Sequence, residues 1–264
     1  MEKLLSIKNL KVGFLLAEKT IEVVRGVDLD IDKNEALVLA GESGSGKSIT
    51  SLAVTKILPE NGRITSGEVY FNGRELLGLD EPTLAHIRGK EIAYIFQEPS
   101  SFLNPVYTIG SQIVETIMLH QHKNRREAGF GAKELLRQVK INDPQRVFRS
   151  YPHQLSGGMN QRAFIAMSLA SEPKLLIADE PTTSLDVTIE AEILRLLMDL
   201  KSRLKFSLLF ITHNLSIAKR IADRVCIMYQ GRIVEEGNCA GIFNSPQHFH
   251  TKELIRAYEK IGKV

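Results

Sequence analysis

At 264 residues the chain is too long for a small disulfide-stapled module and suits one large α/β domain or two small ones. With 43% hydrophobic and 25% charged residues it has the usage of a soluble globular protein, which excludes a mainly disordered or collagen-like chain. Lys plus Arg number 34 against 31 Asp plus Glu, and a net charge of +3 is too weak a bias to argue for nucleic acid or anionic lipid by itself.

From the start, the apolar residues of Met1 to Leu10 are interrupted by Lys3, Lys8 and Asn9, and no apolar run approaches the roughly 18 residues of a membrane helix, so neither a signal peptide nor a span is expected. Ala36–Ala40 is an apolar run of strand length, and a helix is expected after it, reaching about Leu58. Asn72-Gly73 between Glu68–Phe71 and Arg74–Leu76 is a hairpin signal. Ile92–Phe96 is a second apolar strand. Between Gln97 and about Ala170 the strand pattern disappears, and helical pieces such as Ile109–Leu119 and Ala132–Val139 take over, separated by Gly- and Pro-containing breaks.

Leu175–Ala178, Ser207–Ile211 and Val225–Met228 resume the apolar strands, and Gln230-Gly231 ahead of Arg232–Val234 is a second hairpin signal. After Asp186, the residues Ile193, Leu197, Leu200 and Leu204 recur at spacings of three and four and form one buried helical stripe. Continuous apolar strands alternating with helices indicate a parallel sheet covered on both faces, with some antiparallel strands flanking it. The expected organisation is an α/β core from 1–96 and 171–245, an inserted helical subdomain at 97–170 and a short extension at 246–264.

Gly41-Glu42-Ser43-Gly44-Ser45-Gly46-Lys47-Ser48 fits GxxxxGK[ST] and lies where that pattern needs to lie, after a strand and before a helix that opens at Ser48 and Ile49. Its glycines let successive N–H groups and the helix N-terminus face an anion, Lys47 can reach the β and γ phosphates, and Ser48 can ligate Mg²⁺. Leu175–Ala178 ends in Asp179-Glu180, so two carboxylates sit at the C-terminal tip of a buried strand, where open α/β sheets bind ligands. Asp179 suits Mg²⁺, and Glu180 suits orienting or deprotonating an attacking water. Leu155-Ser156-Gly157-Gly158-Met159, ahead of the helical pattern Gln161–Ala170, offers a hydroxyl, two glycine amides and a helix N-terminus as a second anion site; alone it reads as a Ser N-cap. Two phosphate-facing loops with one carboxylate pair suggest nucleotide held between two subunits.

The ordered set resembles the ATP-binding cassette ATPases, the motor subunits of ABC transporters, over nearly the whole chain. That resemblance implies a P-loop (RecA-like) nucleotide-binding core with an antiparallel β subdomain and an inserted α-helical subdomain, with ATP and Mg²⁺ as ligands. By position it makes Gly41–Ser48 the phosphate loop, Gln97 in Ile95-Phe96-Gln97-Glu98-Pro99 the Q-loop glutamine that senses Mg²⁺, and Leu155–Met159 the signature loop. It makes Asp179 and Glu180 the Mg²⁺ and general-base acids, Ser184-Leu185-Asp186 the dimer-contact loop, His213 the switch histidine, and Phe14 the aromatic that stacks on adenine. Without the family, His213 reads as a polar strand-end residue and Phe14 as core. Met159 stands where glutamine is commonest and Ser184 where alanine is usual; neither departure removes a catalytic atom.

A finer resemblance is to the ATPases of peptide and nickel importers, carried by Phe102-Leu103-Asn104-Pro105, Ile109-Gly110-Ser111-Gln112-Ile113, Tyr151-Pro152, Ala178–Val187 and the tail Pro246–Leu254. It implies uptake of peptides or of nickel and other metal chelates. The implied partners are a second, non-identical cassette, two integral membrane permease subunits and, indirectly, an extracytoplasmic solute-binding protein, at the cytoplasmic face of the inner membrane and with no nucleic acid. Longer members carry a cysteine-rich tail for an iron–sulfur cluster, whereas this sequence stops at Val264 without those cysteines. Cys226 and Cys239 lack ligand spacing and read as free thiols of a reducing compartment, Cys226 within an apolar strand. His120, His122, His153, His248 and His250 read as solvated surface residues. The rival class is a soluble ABC ATPase acting on nucleic acid or ribosomes, against which stand the missing heptads and basic stripe. A P-loop kinase or GTPase leaves the signature loop and Gln97 unexplained.

Overall fold

The computed structural model describes residues 2–16, 19–183 and 185–261. In chain order the elements are β1 (Lys3–Leu16), β2 (Lys19–Asp32), β3 (Ala36–Ala40), α1 (Lys47–Val54), β4 (Gly62–Phe71), β5 (Arg74–Glu75), α2 (Glu81–Ile87), β6 (Ile92–Ile95), α3 (Pro99–Phe102), α4 (Ile109–Gln121) and α5 (Arg125–Gln138). There follow α6 (Pro144–Arg149), a 3-10 turn (Pro152–Gln154), α7 (Gly157–Leu169), β7 (Leu175–Asp179), α8 (Val187–Leu204), β8 (Ser207–Thr212), α9 (Leu215–Ile221), β9 (Arg224–Tyr229), β10 (Arg232–Asn238), α10 (Cys239–Asn244) and α11 (Phe249–Ile261). Contacts divide the chain into two compact units, Met1–Leu84 with Ser207–Val264, and Ala85–Phe206.

The first unit holds an antiparallel sheet in the order β2-β1-β4-β5. Its two longest strands escape the sequence reading, because β-bulges interrupt the alternation: Leu5 and Ile7 are in step, and the register then shifts between Ile7 and Leu10, between Leu10 and Lys11 and between Val12 and Gly13. The same unit carries β9, β3 and β8 side by side and parallel, with β10 antiparallel on the far side of β9. Every residue of β3 and β8 is buried, as continuous apolar runs demand of a sheet covered on both faces. Each large aliphatic side chain there stabilises the fold by about 1.5–3 kcal/mol relative to exposure. Both hairpin signals become two-residue turns with positive φ at each central residue, Asn72 (50°) and Gly73 (80°), then Gln230 (45°) and Gly231 (82°), as in type I′ geometry.

Helix α1 ends at Val54, short of the expected Leu58. Lys56 turns left-handed (φ 57°), its N–H donates to the carbonyl of Ala53 and that of Ile57 to Leu52. This is a Schellman stop, closed by a lysine in the place glycine usually takes.

In the second unit β6 and β7 pair in parallel from Ile92↔Leu175 to Ile95↔Ala178. Helix α5 begins at Arg125, seven residues before the expected Ala132, because Asn124 and Glu127 form a reciprocal capping box; Gly129 and Gly131, in the second turn, hide the start of the helix from a periodicity reading. Helix α7 begins at Gly157, ahead of Gln161, so the two glycines are helical. In α8 the residues Ile193, Leu197 and Leu200 are buried as expected, but Leu204 is 45% exposed, since the chain turns left-handed at Lys205 and leaves the core there.

Candidate nucleotide-binding site

Strand β3 delivers the chain into 41–46 and α1 takes it away at Lys47. The N-cap of α1 is Gly46 (φ 106°), which has no side chain to cap the first turn. Lys47 is buried, and its ammonium donates to the carbonyls of Gly41 (2.9 Å) and Glu42 (2.7 Å), with the Ser45 hydroxyl at 3.4 Å. The loop thus curls around a cation, while Glu42, Ser43 and Gly44 stay exposed and Ser48 and Ile49 are half-buried. A cation and a helix N-terminus in one turn fit a phosphate. Ala40 pairs with Thr212, so His213 emerges, exposed, next to the strand end from which the loop departs.

Phe14 is half-buried on β1, directly opposite Ile21 of β2 and Gly62 of β4. A Cβ at Gly62 would lie 3.5 Å from the ring. The ring is therefore at the edge of the core and not inside it.

In the second unit, Gln97 and the pair Asp179-Glu180 leave the same end of the β6/β7 pair, just past Ile95↔Ala178. Gln97 is exposed; Asp179 and Glu180 are half-buried. Glu180 has φ 45°, a left-handed conformation that costs a non-glycine residue of order 1 kcal/mol. The turn that follows holds it: the Thr183 N–H donates to the Glu180 carbonyl (3.3 Å) and the Thr183 hydroxyl to Oε2 (3.0 Å). Thr183, which sequence reasoning passed over, aims this carboxylate, and the TT pair after Pro181 is the signal that could have pointed to it.

Ser156 caps α7, its hydroxyl accepting from the Met159 N–H at 3.4 Å. A Cβ on Gly158 would approach Ile189 Cγ2 to 3.1 Å and one on Gly157 would meet Leu185 Cδ2 at 3.8 Å. The start of α7 is thereby brought together with the start of α8, where Asp186 is the exposed N-cap. Ser184 lies outside the described residues.

The thiols and imidazoles sort by burial. Burial pushes the Cys226 thiol well up, with Glu236 adding to it, and burial raises Cys239 as well, which makes both poor nucleophiles. His122 and His153 are exposed and His120 and His248 half-buried. Burial, then the charges of Lys90, His86 and His122, hold His120 below the usual imidazole range. His250 departs from the surface reading: it is 5% exposed, its ring tilted by 30° against that of Tyr229 at 3.9 Å. The stripe running to Ile255 packs α11 inward and carries His250 with it. Among the described residues no helix is long and apolar enough to cross a membrane.

The sequence profile of the family described as ABC transporter matches residues 24–183. Among curated proteins, the chain is 46% identical to "Probable peptide ABC transporter ATP-binding protein y4tR" of Sinorhizobium fredii, over 96% of this chain and 76% of that protein. It is 44% identical to "Glutathione import ATP-binding protein GsiA" of Escherichia coli K12, over 98% of this chain and 43% of that one. The chain spans less than half the length of the GsiA proteins it matches. Among solved structures, the ATP-binding cassette MJ0796 in a dimeric post-hydrolysis state bound to ADP and Pi superposes with a TM-score of 0.79 at 27% identity, over 89% of this chain and 98% of that one. The cbiO1 protein of Clostridium perfringens, part of the ABC transporter complex cbiONQ, shares the fold with a TM-score of 0.80 at 24% identity, over 100% of this chain and 98% of that one.

Proposed function

The chain belongs to the ABC transporter family, and on that premise we propose that it is the ATP-hydrolysing motor subunit of an ABC importer, with peptides, glutathione among them, as cargo. The observation that carries the ATPase half is the loop 41–47 curled around the buried Lys47 ammonium at the start of α1. The names of the relatives at 44–46% identity weigh toward peptides over nickel and metal chelates, the other cargo expected from the sequence.

In this reading Lys47 and the N–H groups of 43–49 bind the phosphates, and Phe14 stacks on the base. Mg²⁺ would supply neutralisation of phosphate charge, held by Ser48, Gln97 and Asp179, a hydroxyl, an amide and a carboxylate of the hard oxygen type that ion prefers. Glu180 orients a water and accepts its proton, with Thr183 fixing the carboxylate, while His213 stabilises charge on the γ-phosphate. Ser156, Gly157, Gly158 and Asp186 face the nucleotide of a second cassette. The segment 97–170 is the helical subdomain, contacting two permease subunits around Gln97–Asn104. The cassette works at the cytoplasmic face of the inner membrane, served by a solute-binding protein on the other side.

The test is MgATP hydrolysis by the chain with and without its permease subunits, followed by uptake of a labelled tripeptide and of nickel in membranes carrying the complex. Stimulated hydrolysis with peptide uptake is expected; hydrolysis coupled to nickel alone reverses the cargo assignment, and failure to bind nucleotide removes the function.

A further inference from the structure

The phosphate loop has a second support that none of the motifs accounts for. The turn between β9 and β10 lies against it from Met228 to Gly231. Gly231 joins the two sides through its backbone: its N–H donates to the Ser45 carbonyl (2.9 Å), and its own carbonyl accepts from the Arg25 N–H of β2 (2.8 Å). A Cβ at Gly231 would sit 2.4 Å from the Val23 carbonyl oxygen. The Met228 carbonyl comes so close to Gly41 that a Cβ there would lie 2.1 Å away. Glycine at 41 and 231 is thus demanded by backbone packing on the turn.

Between those two contacts stands half-buried Tyr229, and its ring is met by that of His250 from the first turn of α11, at 3.9 Å between centroids and tilted by 30°. The buried Nε2 of that imidazole has no hydrogen-bond partner among the described residues. The approach to α11 is pinned to the same hairpin, because Glu235 of β10 accepts the N–H groups of Gln247 (2.7 Å) and His248 (2.9 Å). Continuous contact therefore runs from α11 through Tyr229 to the loop that carries Lys47.

We infer that the β9–β10 turn positions the phosphate loop and that the Tyr229–His250 contact places this turn, and with it nucleotide affinity, under the control of the C-terminal helix α11. Tyr229, Gly231 and His250 are positioning residues, acting through Ser45 and Gly41 and touching no substrate. The inference rests on the reading of 41–48 as an ATP site, and the experiment separates the two.

In the full chain, His250→Ala should weaken binding of a fluorescent ATP analogue with Mg²⁺ by about fivefold, the size of effect expected of a residue that acts on a site from a distance. KM for ATP should rise with it while kcat at saturation holds, because the catalytic groups are untouched. His250→Phe keeps an aromatic ring against Tyr229 and discards both ring nitrogens, so it should restore the parent affinity if the ring contact is what matters. Hydrogen exchange without nucleotide should show faster exchange at 41–47 in His250→Ala and not in His250→Phe. Loosening of α11 with unchanged exchange at 41–47 and unchanged affinity overturns the inference, as does a His250→Ala loss that falls on kcat alone. Parent chain that binds no nucleotide refutes the ATP reading, and the exchange comparison then still decides whether α11 controls the loop.

Discussion

As the proposed general base, Glu180 should separate nucleotide binding from chemistry, and its surroundings set how much a single substitution can change. Glu180→Gln keeps the length of the side chain and leaves an oxygen to accept the Thr183 hydroxyl, now 3.0 Å from Oε2. The left-handed φ of 45° is a backbone property and is not altered by the exchange. The fold should therefore be unaffected, and what is lost is basicity alone. Loss of a positioned general base lowers the rate by about 10²–10⁴, or roughly 2.7–5.4 kcal/mol of barrier. ATP should still bind, so closed dimers should accumulate in MgATP, visible by size-exclusion chromatography beside a phosphate-release assay, with the partner cassette present. Thr183→Val, which removes the aiming hydroxyl but not the base, should cost about tenfold. A Glu180→Gln chain hydrolysing ATP at the parent rate refutes the assignment, because the water would then be held elsewhere.

Three further outcomes are expected. Lys47→Ala should fold yet lose MgATP affinity by several kcal/mol, read by fluorescent nucleotide titration, since a buried ammonium among loop carbonyls is exchanged for none. Purification of the native complex should yield a related, non-identical second cassette, and a complex holding this ATPase alone contradicts that. Arg224→Met breaks the ion pairs with half-buried Glu35 (3.1 Å) and with Glu236 (3.1 Å) and should cost about 2 kcal/mol in urea unfolding at pH 7. Burial already raises the Glu35 carboxyl, against the Asp32 N–H and Arg224. Losing Arg224 raises it further, so the deficit should shrink as pH falls from 7 toward the unfolded carboxyl's value near ~4.3, and an equal deficit at both pH values refutes the pairing.

What the sequence disclosed and what it hid divide along physical lines. Local structure made of contiguous residues was legible, because the loop at Gly41, the strand end at Asp179 and the helix start at Gly157 are each defined by local backbone requirements that only a few residue types meet. The two 14-residue strands were not, since bulges move the alternation out of step and a period-two pattern cannot survive a one-residue slip. The stop of α1 at Val54 was hidden for a related reason: a lysine adopts the left-handed position, so the composition carries no glycine flag. His250 was the deepest miss. A histidine two residues from another, in a polar tail, gives no local sign of burial. Only the pairing of Tyr229 with a helix that begins 20 residues later puts the two rings together, and that is tertiary information. Gly231 shows the same limit within a residue that was read: the hairpin explains its positive φ, but the Val23 carbonyl oxygen, 2.4 Å from where a Cβ would sit, and the bond to Ser45 make it a support of the phosphate loop as well. A glycine required twice, once by its own turn and once by a neighbour's backbone, tolerates substitution least, and Gly231→Ala should disturb the loop even where a type I′ turn could be rebuilt with asparagine.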